Sequence, residues 1–66
     1  MKNSIKVERA KKNITQAELA RLTGVSRQTI NAIELGKYDP SALLALRMAK
    51  IFECQVEEIF QLEEGE

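Results

Sequence analysis

The stretch that most constrains the fold of this chain is residues 16–35, with the sequence QAELARLTGVSRQTINAIEL. Its pattern predicts two short helices joined by one tight turn. Thr15 precedes the first helix, and Glu18 three residues later completes the sequence pattern of a capping box. Gly24 is expected to end that helix in the left-handed conformation, and Ser26 is expected to cap the second helix.

The second helix of this pair is predicted to run to about Leu35 and to stop at Gly36. The apolar residues that a bent pair of helices would turn toward one core are Leu19, Val25, Ile30 and Ile33. A small residue, Ala20, stands where the second helix would cross the first. This combination is typical of a helix-turn-helix motif, whose second helix lies in the major groove of DNA. An ordinary helical hairpin within a bundle is the alternative.

Residues 3 to 60 resemble the Cro-like phage-repressor domain, also called the xenobiotic-response-element type. The resemblance is carried by the segments TQAELA, GVSRQTI, IELGKYDPS and VEEIF. Within that family, the chain is most similar to short repressors of the cytolysin-repressor type. The resemblance implies an all-α fold of five helices, with the helix-turn-helix at helices 2 and 3. It also implies a small antiparallel β pair between the chain ends, with Lys2 to Ser4 beside Phe60 to Leu62.

Three further helices are predicted outside the motif, at about residues 4–12, 42–52 and 55–60. Asn13 tolerates the left-handed conformation and can end the first of them. Either Asp39 or Ser41 can cap the helix that begins near residue 42. The 66 residues are therefore interpreted as a single helix-turn-helix domain, residues 1–66, with an acidic tail at residues 61–66.

The outward face of the second motif helix carries the residues expected to contact bases. Counted from the Ser26 cap, they are Arg27, Gln28, Thr29 and Asn31. Arginine can form paired hydrogen bonds with guanine, an amide can do so with adenine, and a threonine methyl can meet thymine. The face has no carboxylate before Glu34, which favours DNA contact over the simpler interpretation of a solvated helix face.

Contacts to the phosphate backbone are expected from residues that flank this face. Gln16 stands at the start of the first motif helix, where free amides and the helix dipole attract an anion. The resemblance implies that this glutamine binds a phosphate and braces the second helix. Lys37 and Tyr38 follow the second helix and are placed to touch neighbouring phosphates, and Ser26 is a further candidate at its start.

Two charged residues are assigned a structural role by the resemblance. Family members tie helix 1 to helix 3 through an ion pair, whose positions correspond here to Arg9 and Glu34. Arg9 is therefore predicted to be part of an internal ion pair. It is left out of the set of DNA contacts, although a basic residue would otherwise be counted there.

Charge is distributed unevenly along a chain whose formal net charge is zero. All ten basic residues lie within residues 1–50, whereas residues 51–66 contain six of the ten acidic residues and no basic one. A basic body with an acidic end fits a surface that binds a polyanion. Surface charge that merely keeps the protein soluble would give the same pattern.

Composition excludes several other classes of function. The longest apolar run, residues 42–46, is far shorter than the roughly 20 residues that span a membrane. The polar N-terminal segment does not resemble a signal peptide, and a single cysteine suits a reducing compartment, so a cytoplasmic protein is expected. Without histidine or a Gly-rich phosphate loop, no catalytic residue, metal ligand, cofactor or small-molecule effector site is predicted, and an enzyme is not expected.

The predicted function is sequence-specific binding of double-stranded DNA by a homodimer that regulates transcription, as a repressor, from a palindromic operator. Two recognition helices related by a twofold axis would meet half-sites about 34 Å apart. The dimer contact is expected from apolar residues without an evident role in a single core, namely Leu43, Ile59, Phe60 and Leu62. The alternative is an antitoxin or adaptor that works mainly through a protein partner, with Leu43, Leu46 and Leu62 as its apolar patch.

Overall fold

Short helices and two strands make up the structure, a computed structural model that describes residues 1–66. In chain order the elements are β1 (Lys2–Asn3), α1 (Ile5–Lys12), α2 (Gln16–Thr23), α3 (Arg27–Glu34), α4 (Ala42–Phe52), α5 (Val56–Ile59) and β2 (Phe60–Gln61). The prediction of five helices with a small pair of terminal strands is confirmed. None of the helices combines the length and the apolar character needed to cross a membrane.

Three helices begin at a hydroxyl that accepts the backbone N–H three residues further on. These caps are Thr15 (3.0 Å), Ser26 (3.1 Å) and Ser41 (3.1 Å), at the starts of α2, α3 and α4. Each satisfies one of the amides that have no partner within the helix itself. Of the two candidate caps for α4, Ser41 rather than Asp39 is therefore the one that acts.

Residues in the left-handed conformation end α1, α2 and α4. Asn13 (φ 57°) and Gly24 (φ 80°) do so where the sequence predicts. At the end of α4 the chain has no glycine, and Glu53 itself adopts φ 56°. That conformation costs a residue with a side chain about 1–2 kcal/mol. Lys12 Nζ, 2.8 Å from Glu53 Oε1, holds the side chain at this strained position.

The reciprocal capping box predicted at the start of α2 is not formed. The Thr15 hydroxyl accepts the Glu18 amide, but the Glu18 carboxylate binds Arg21, at 3.0 Å from Nε and 2.6 Å from Nη2. A hydrogen bond between two charged groups is stronger than one to a neutral amide, so the Glu18 carboxylate binds the Arg21 guanidinium and not the Thr15 amide. The Arg21 contact also lowers the pKa of Glu18. A carboxylate accepts the N-cap amide at α5 instead, where Glu58 Oε2 lies 2.8 Å from the Gln55 nitrogen.

One cluster of apolar side chains, drawn from all five helices and β2, forms the core. Its members are Ile5, Leu19, Ala20, Ile30, Ile33, Leu44, Ala45, Met48, Ala49, Phe52, Ile59 and Phe60. Leu19, Ile30 and Ile33 therefore turn inward as predicted, and Val25 is half-buried against the same cluster. Ala20 is buried on α2, which packs against α3.

The two ends of the chain meet as an antiparallel pair of strands, as the resemblance implies. The register pairs Lys2 with Gln61 and Asn3 with Phe60. Next to this pair, the Ser4 N–H donates to the Ile59 carbonyl at 2.8 Å, and the Ser4 hydroxyl donates to the Glu58 carbonyl at 2.7 Å. These contacts fix the start of α1 against the end of α5.

The expectation that Ile59 and Phe60 have no role in a single core is wrong. Ile59 has no exposed surface and Phe60 is 7% exposed, because both belong to the core cluster. Leu43 and Leu62 are 58% and 73% exposed, so they are the two members of the predicted dimer contact that offer apolar surface. Leu46, also exposed, lies one turn from Leu43 on α4.

A buried acidic residue, Glu8, lies on α1, and its carboxylate accepts a hydrogen bond from Lys11 Nζ at 3.1 Å. Glu8 is part of a groove of about 700 Å³ whose other lining residues are Lys11, Lys12, Phe52, Glu53, Cys54 and Glu58. Partial burial raises the pKa of the Cys54 thiol, and the carboxylates of Glu8 and Glu58 raise it further. The thiol is therefore kept in its neutral form.

Candidate nucleic-acid interface

Hydrogen bonds from within the motif and from α4 hold the turn between α2 and α3. The Gly24 and Val25 N–H groups donate to the Ala20 carbonyl at 2.9 and 3.2 Å. From α4, Arg47 Nη1 donates to the Thr23 carbonyl at 3.1 Å. These bonds fix the direction in which α3 leaves the turn, and thereby the face of α3 that is exposed.

The face of α3 opposite the core consists of polar side chains without a free carboxylate. Ile30 and Ile33 are buried on the inner side of the helix. The exposed residues of the outer face are Arg27, Gln28 and Asn31. Thr29 is half-buried, and its hydroxyl lies 3.0 Å from the Ser26 hydroxyl, so it is engaged at the helix start. We call Arg27, Gln28 and Asn31 the outer face of α3.

The loop after α3 brings two more of the predicted residues beside this outer face. Lys37 and Tyr38 are exposed, and together with Gln28, Thr29 and Ala32 they line an open concavity of about 370 Å³. The structure therefore places candidates for base contact, Gln28 and Thr29, next to candidates for phosphate contact.

Arg9 of α1 and Glu34 at the end of α3 form a bidentate ion pair. Arg9 Nε lies 2.8 Å from Glu34 Oε2, and Arg9 Nη2 lies 3.2 Å from Oε1. The two side chains are only 15% and 9% exposed. Arg9 Nη1 also donates to the Ile14 carbonyl at 3.2 Å. Arg9 is thus bound within the structure. Its positive charge neutralises that of Glu34, which lies next to the outer face of α3.

The side chain of Gln16 joins this ion pair to the outer face. Its Nε2 donates to Glu34 Oε1 at 3.2 Å and to Asn31 Oδ1 at 3.1 Å. Both amide hydrogens are used, so this side chain has no donor left for a phosphate. The backbone N–H groups of Gln16 and Ala17, in the first turn of α2, have no partner in the chain and remain free for an anion. We call Arg9, Gln16, Asn31 and Glu34 the Glu34 network.

Sequence patterns do not predict the role of two side chains that position the motif. Asn3 Nδ2 donates to the carbonyls of Ile33 at 2.9 Å and Glu34 at 3.4 Å, at the end of α3, where the Ile33 carbonyl also accepts the Gly36 N–H at 3.0 Å. Arg47 holds the end of α2 through the Thr23 carbonyl. The sequence separations of 30 and 24 residues explain why no local pattern indicates these contacts.

Comparison with known proteins places the chain in a family. A family model described as helix-turn-helix matches residues 5–59, and the chain belongs to this helix-turn-helix family. An uncharacterised HTH-type transcriptional regulator of Methanocaldococcus jannaschii is 56% identical over 66 residues, which cover 100% of both chains. YgzD, an uncharacterised HTH-type transcriptional regulator of Bacillus subtilis, is 48% identical over 64 residues and 97% of each chain.

Two solved structures share the fold. The P22 c2 repressor in complex with synthetic operator 9T matches with a TM-score of 0.75 and 30% identity, over 80% of each chain. The solution structure of the DNA-binding domain of the P22 c2 repressor matches with a TM-score of 0.75 and 26% identity, over 89% of this chain and 84% of that one. The chain is a helix-turn-helix transcriptional regulator with a repressor-like DNA-binding fold, and not an enzyme.

Proposed function

We propose that this protein recognises a specific double-stranded DNA site through α3 and acts as a homodimeric transcriptional repressor. The observation that carries the proposal is the outer face of α3, where Arg27, Gln28 and Asn31 are exposed without an uncompensated carboxylate beside them. Guanidinium and amide groups are the side-chain groups that form paired hydrogen bonds with base edges in the major groove. Thr29, at the margin of this face, adds a methyl group.

Phosphate contacts on either side of the outer face would hold α3 in the groove. Lys37 and Tyr38 are exposed just beyond the end of α3, and Ser26 stands at its start. The backbone N–H groups of Gln16 and Ala17 offer an anion site at the start of α2. Such contacts carry no sequence information, but they fix the position and orientation of the protein on the duplex.

A second copy of the chain would supply the specificity that one helix lacks. α3 has eight residues, so a single copy meets only a few base pairs. Two copies related by a twofold axis would recognise a palindrome with half-sites centred about 34 Å apart. Leu43 and Leu62 are exposed apolar residues suited to the subunit contact, and Leu46 extends the apolar surface of α4. The cores of homodimer interfaces are richer in apolar groups than the remaining surface.

Repression would follow from occupying an operator that overlaps a promoter, because bound protein and RNA polymerase cannot share the same DNA. The likeness to the P22 c2 repressor in complex with its synthetic operator supports this role. In this proposal residues 1–66 act as one domain, residues 16–35 contact DNA, and the acidic residues 61–66 lie away from the phosphates.

Selection of bound duplexes from a pool of random sequence tests the proposal. We expect enrichment of a twofold-symmetric sequence that binds about 10³-fold more tightly than random DNA, as is usual for specific regulators. Arg27→Ala should reduce this ratio. Arg21→Ala is the matched control, because Arg21 is an exposed arginine of α2 that is paired with Glu18 and lies off the outer face. Equal affinity for selected and random duplexes contradicts the proposal.

A regulator that works mainly through a protein partner would give a different result in the same selection. Its DNA binding would be weak and independent of sequence, and Leu62→Asp would leave that binding unchanged. A homodimeric repressor should instead lose affinity for the selected site when the exposed leucines of the subunit contact are replaced by aspartate.

A further inference from the structure

The side-chain amide of Gln16 has one possible orientation, because one of its partners is a carboxylate. Glu34 Oε1, which also accepts from Arg9 Nη2, lies 3.2 Å from the Gln16 amide. A carboxylate held by a guanidinium only accepts hydrogen bonds, so the Gln16 atom that faces it has to be Nε2 and not Oε1. The ion pair between α1 and α3 thereby orients an uncharged side chain of α2.

The orientation of Gln16 in turn fixes the amide of Asn31. The second hydrogen of Gln16 Nε2 is directed to Asn31 Oδ1, at 3.1 Å. If Asn31 presented its nitrogen instead, two donors would face each other, so the oxygen turns toward Gln16. Asn31 Nδ2 has no partner within the chain, and the residue is exposed one turn from Arg27 and Gln28.

We propose that the Glu34 network makes Asn31 a hydrogen-bond donor toward DNA and so excludes cytosine from the base position that Asn31 faces. Guanine, adenine and thymine each offer at least one acceptor in the major groove, at N7, O6 or O4. The polar major-groove group of cytosine is the N4 amino group, a donor, which cannot bond to the NH₂ group of Asn31. The inference rests on the proposed function, since it assigns specificity to the same outer face. Gln16 is a positioning residue, and Asn31 contacts the base.

The first part of the test uses the free protein without DNA. Nuclear magnetic resonance of isotope-labelled protein measures how fast each side-chain NH₂ group exchanges with solvent. The NH₂ group of Gln16 should exchange more slowly than that of Asn31, and Asn31 should match the unbonded, exposed amide of Gln28. Protection of the Asn31 NH₂ group, with fast exchange at Gln16, overturns the inference whatever the protein binds.

The second part repeats the random-pool selection with two variants. Asn31→Ala should lose base preference at one position of each half-site, which identifies the base that Asn31 faces. The unmutated protein should disfavour cytosine there by about fivefold or more. Gln16→Met keeps the length of the side chain but removes its amide, so Asn31 can rotate and accept from cytosine N4. We expect its discrimination against cytosine at this position to fall to about twofold or less, with the other positions unchanged.

Gln16→Glu is a second way of breaking the network. A carboxylate at position 16 would meet the like charge of Glu34 and turn away from it, which releases Asn31, so discrimination against cytosine should fall as it does in Gln16→Met. Each comparison is among bases for one variant, so a general loss of affinity does not affect it.

Two results of the selection overturn the inference while the proposed function stands. One is cytosine accepted as readily as other bases at the Asn31-dependent position. The other is discrimination that Gln16→Met leaves unchanged. If no sequence is enriched at all, the proposed function fails and this inference fails with it, whereas the exchange rates still report the orientation of the two amides.

Discussion

Glu34→Ala should destabilise the protein strongly, because it leaves the mostly buried guanidinium of Arg9 without its partner. Arg9 is 15% exposed and donates two hydrogen bonds to Glu34, which is 9% exposed. Removing one member of a buried pair costs about 3–5 kcal/mol, whereas an exposed pair is worth about 0–1 kcal/mol. Arg9 and Glu34 are not fully buried, so the cost should be somewhat below that of a fully buried pair. We therefore expect a loss of about 2–4 kcal/mol in the free energy of unfolding.

Urea unfolding followed by circular dichroism measures this loss, and thermal melting gives an independent value. In a domain of this size each kcal/mol lowers Tm by about 4–8 °C, so Glu34→Ala should melt roughly 10–30 °C below the unmutated protein. Glu18→Ala is the matched control, because its partner Arg21 is 68% exposed and solvent screens the pair, so the loss of stability should be much smaller than for Glu34→Ala.

Equal unfolding free energies for the two variants would refute this reasoning. A further variant separates the stranded charge from the loss of packing. Replacing Arg9 and Glu34 together by methionine removes both charges, so the double variant should be more stable than Glu34→Ala.

Four other substitutions have distinct expected outcomes. Gln28→Ala should weaken binding to the selected operator by about 1–3 kcal/mol and leave binding to random DNA nearly unchanged, since phosphates dominate the latter. Equal losses in a fluorescence-anisotropy titration would show that Gln28 contacts no base. Leu62→Asp should keep Tm close to the unmutated value but weaken the dimer in light scattering, whereas Phe60→Asp should prevent folding because Phe60 is buried. An unmutated protein that is monomeric both at micromolar concentration and on its operator contradicts the dimer. The pKa of Cys54 is raised by burial, so its contribution to stability is complete below the pKa of an unfolded cysteine, about 8.5, and is lost as the pH rises above it. Above that pH, the free energy of unfolding of Cys54→Ala should therefore fall less than that of the unmutated protein. Identical plots of this free energy against pH for the two proteins would refute this assignment.

The boundaries of α2 and α3 could be predicted from the sequence because local chemistry decides them. Thr15 and Ser26 accept amides only three residues away, and Gly24 takes a left-handed conformation that favours glycine. The exposure of Arg27, Gln28 and Asn31 follows equally from helical periodicity once Ile30 and Ile33 are assigned to the core.

Other features depend on competition between partners, which sequence patterns do not resolve. Glu18 could bind the Thr15 amide or Arg21, and the guanidinium takes it because both groups are charged. Ile59 and Phe60 could face their own core or a second subunit. The pairing of Phe60 with Asn3 closes β2 onto β1. Ile59 and Phe60 are thereby placed in the core.

The candidate site also contains an arrangement that no single stretch of sequence specifies. The amide of Asn31 is oriented through Gln16, Glu34 and Arg9, which lie on three different helices. The resemblance supplied the pairing of Arg9 with Glu34. The link from that pair to a residue of the outer face required the geometry of the folded chain.

Chemical-shift mapping of the backbone amides during titration with the selected duplex shows most directly whether α3 itself lies against DNA. We expect the largest changes across residues 27–31, with further changes at Gln16, Lys37 and Tyr38 and small ones around the groove that contains Cys54. Large changes confined to that groove or to the exposed leucines of α4, with residues 27–31 unaffected, would contradict recognition of DNA by the outer face of α3.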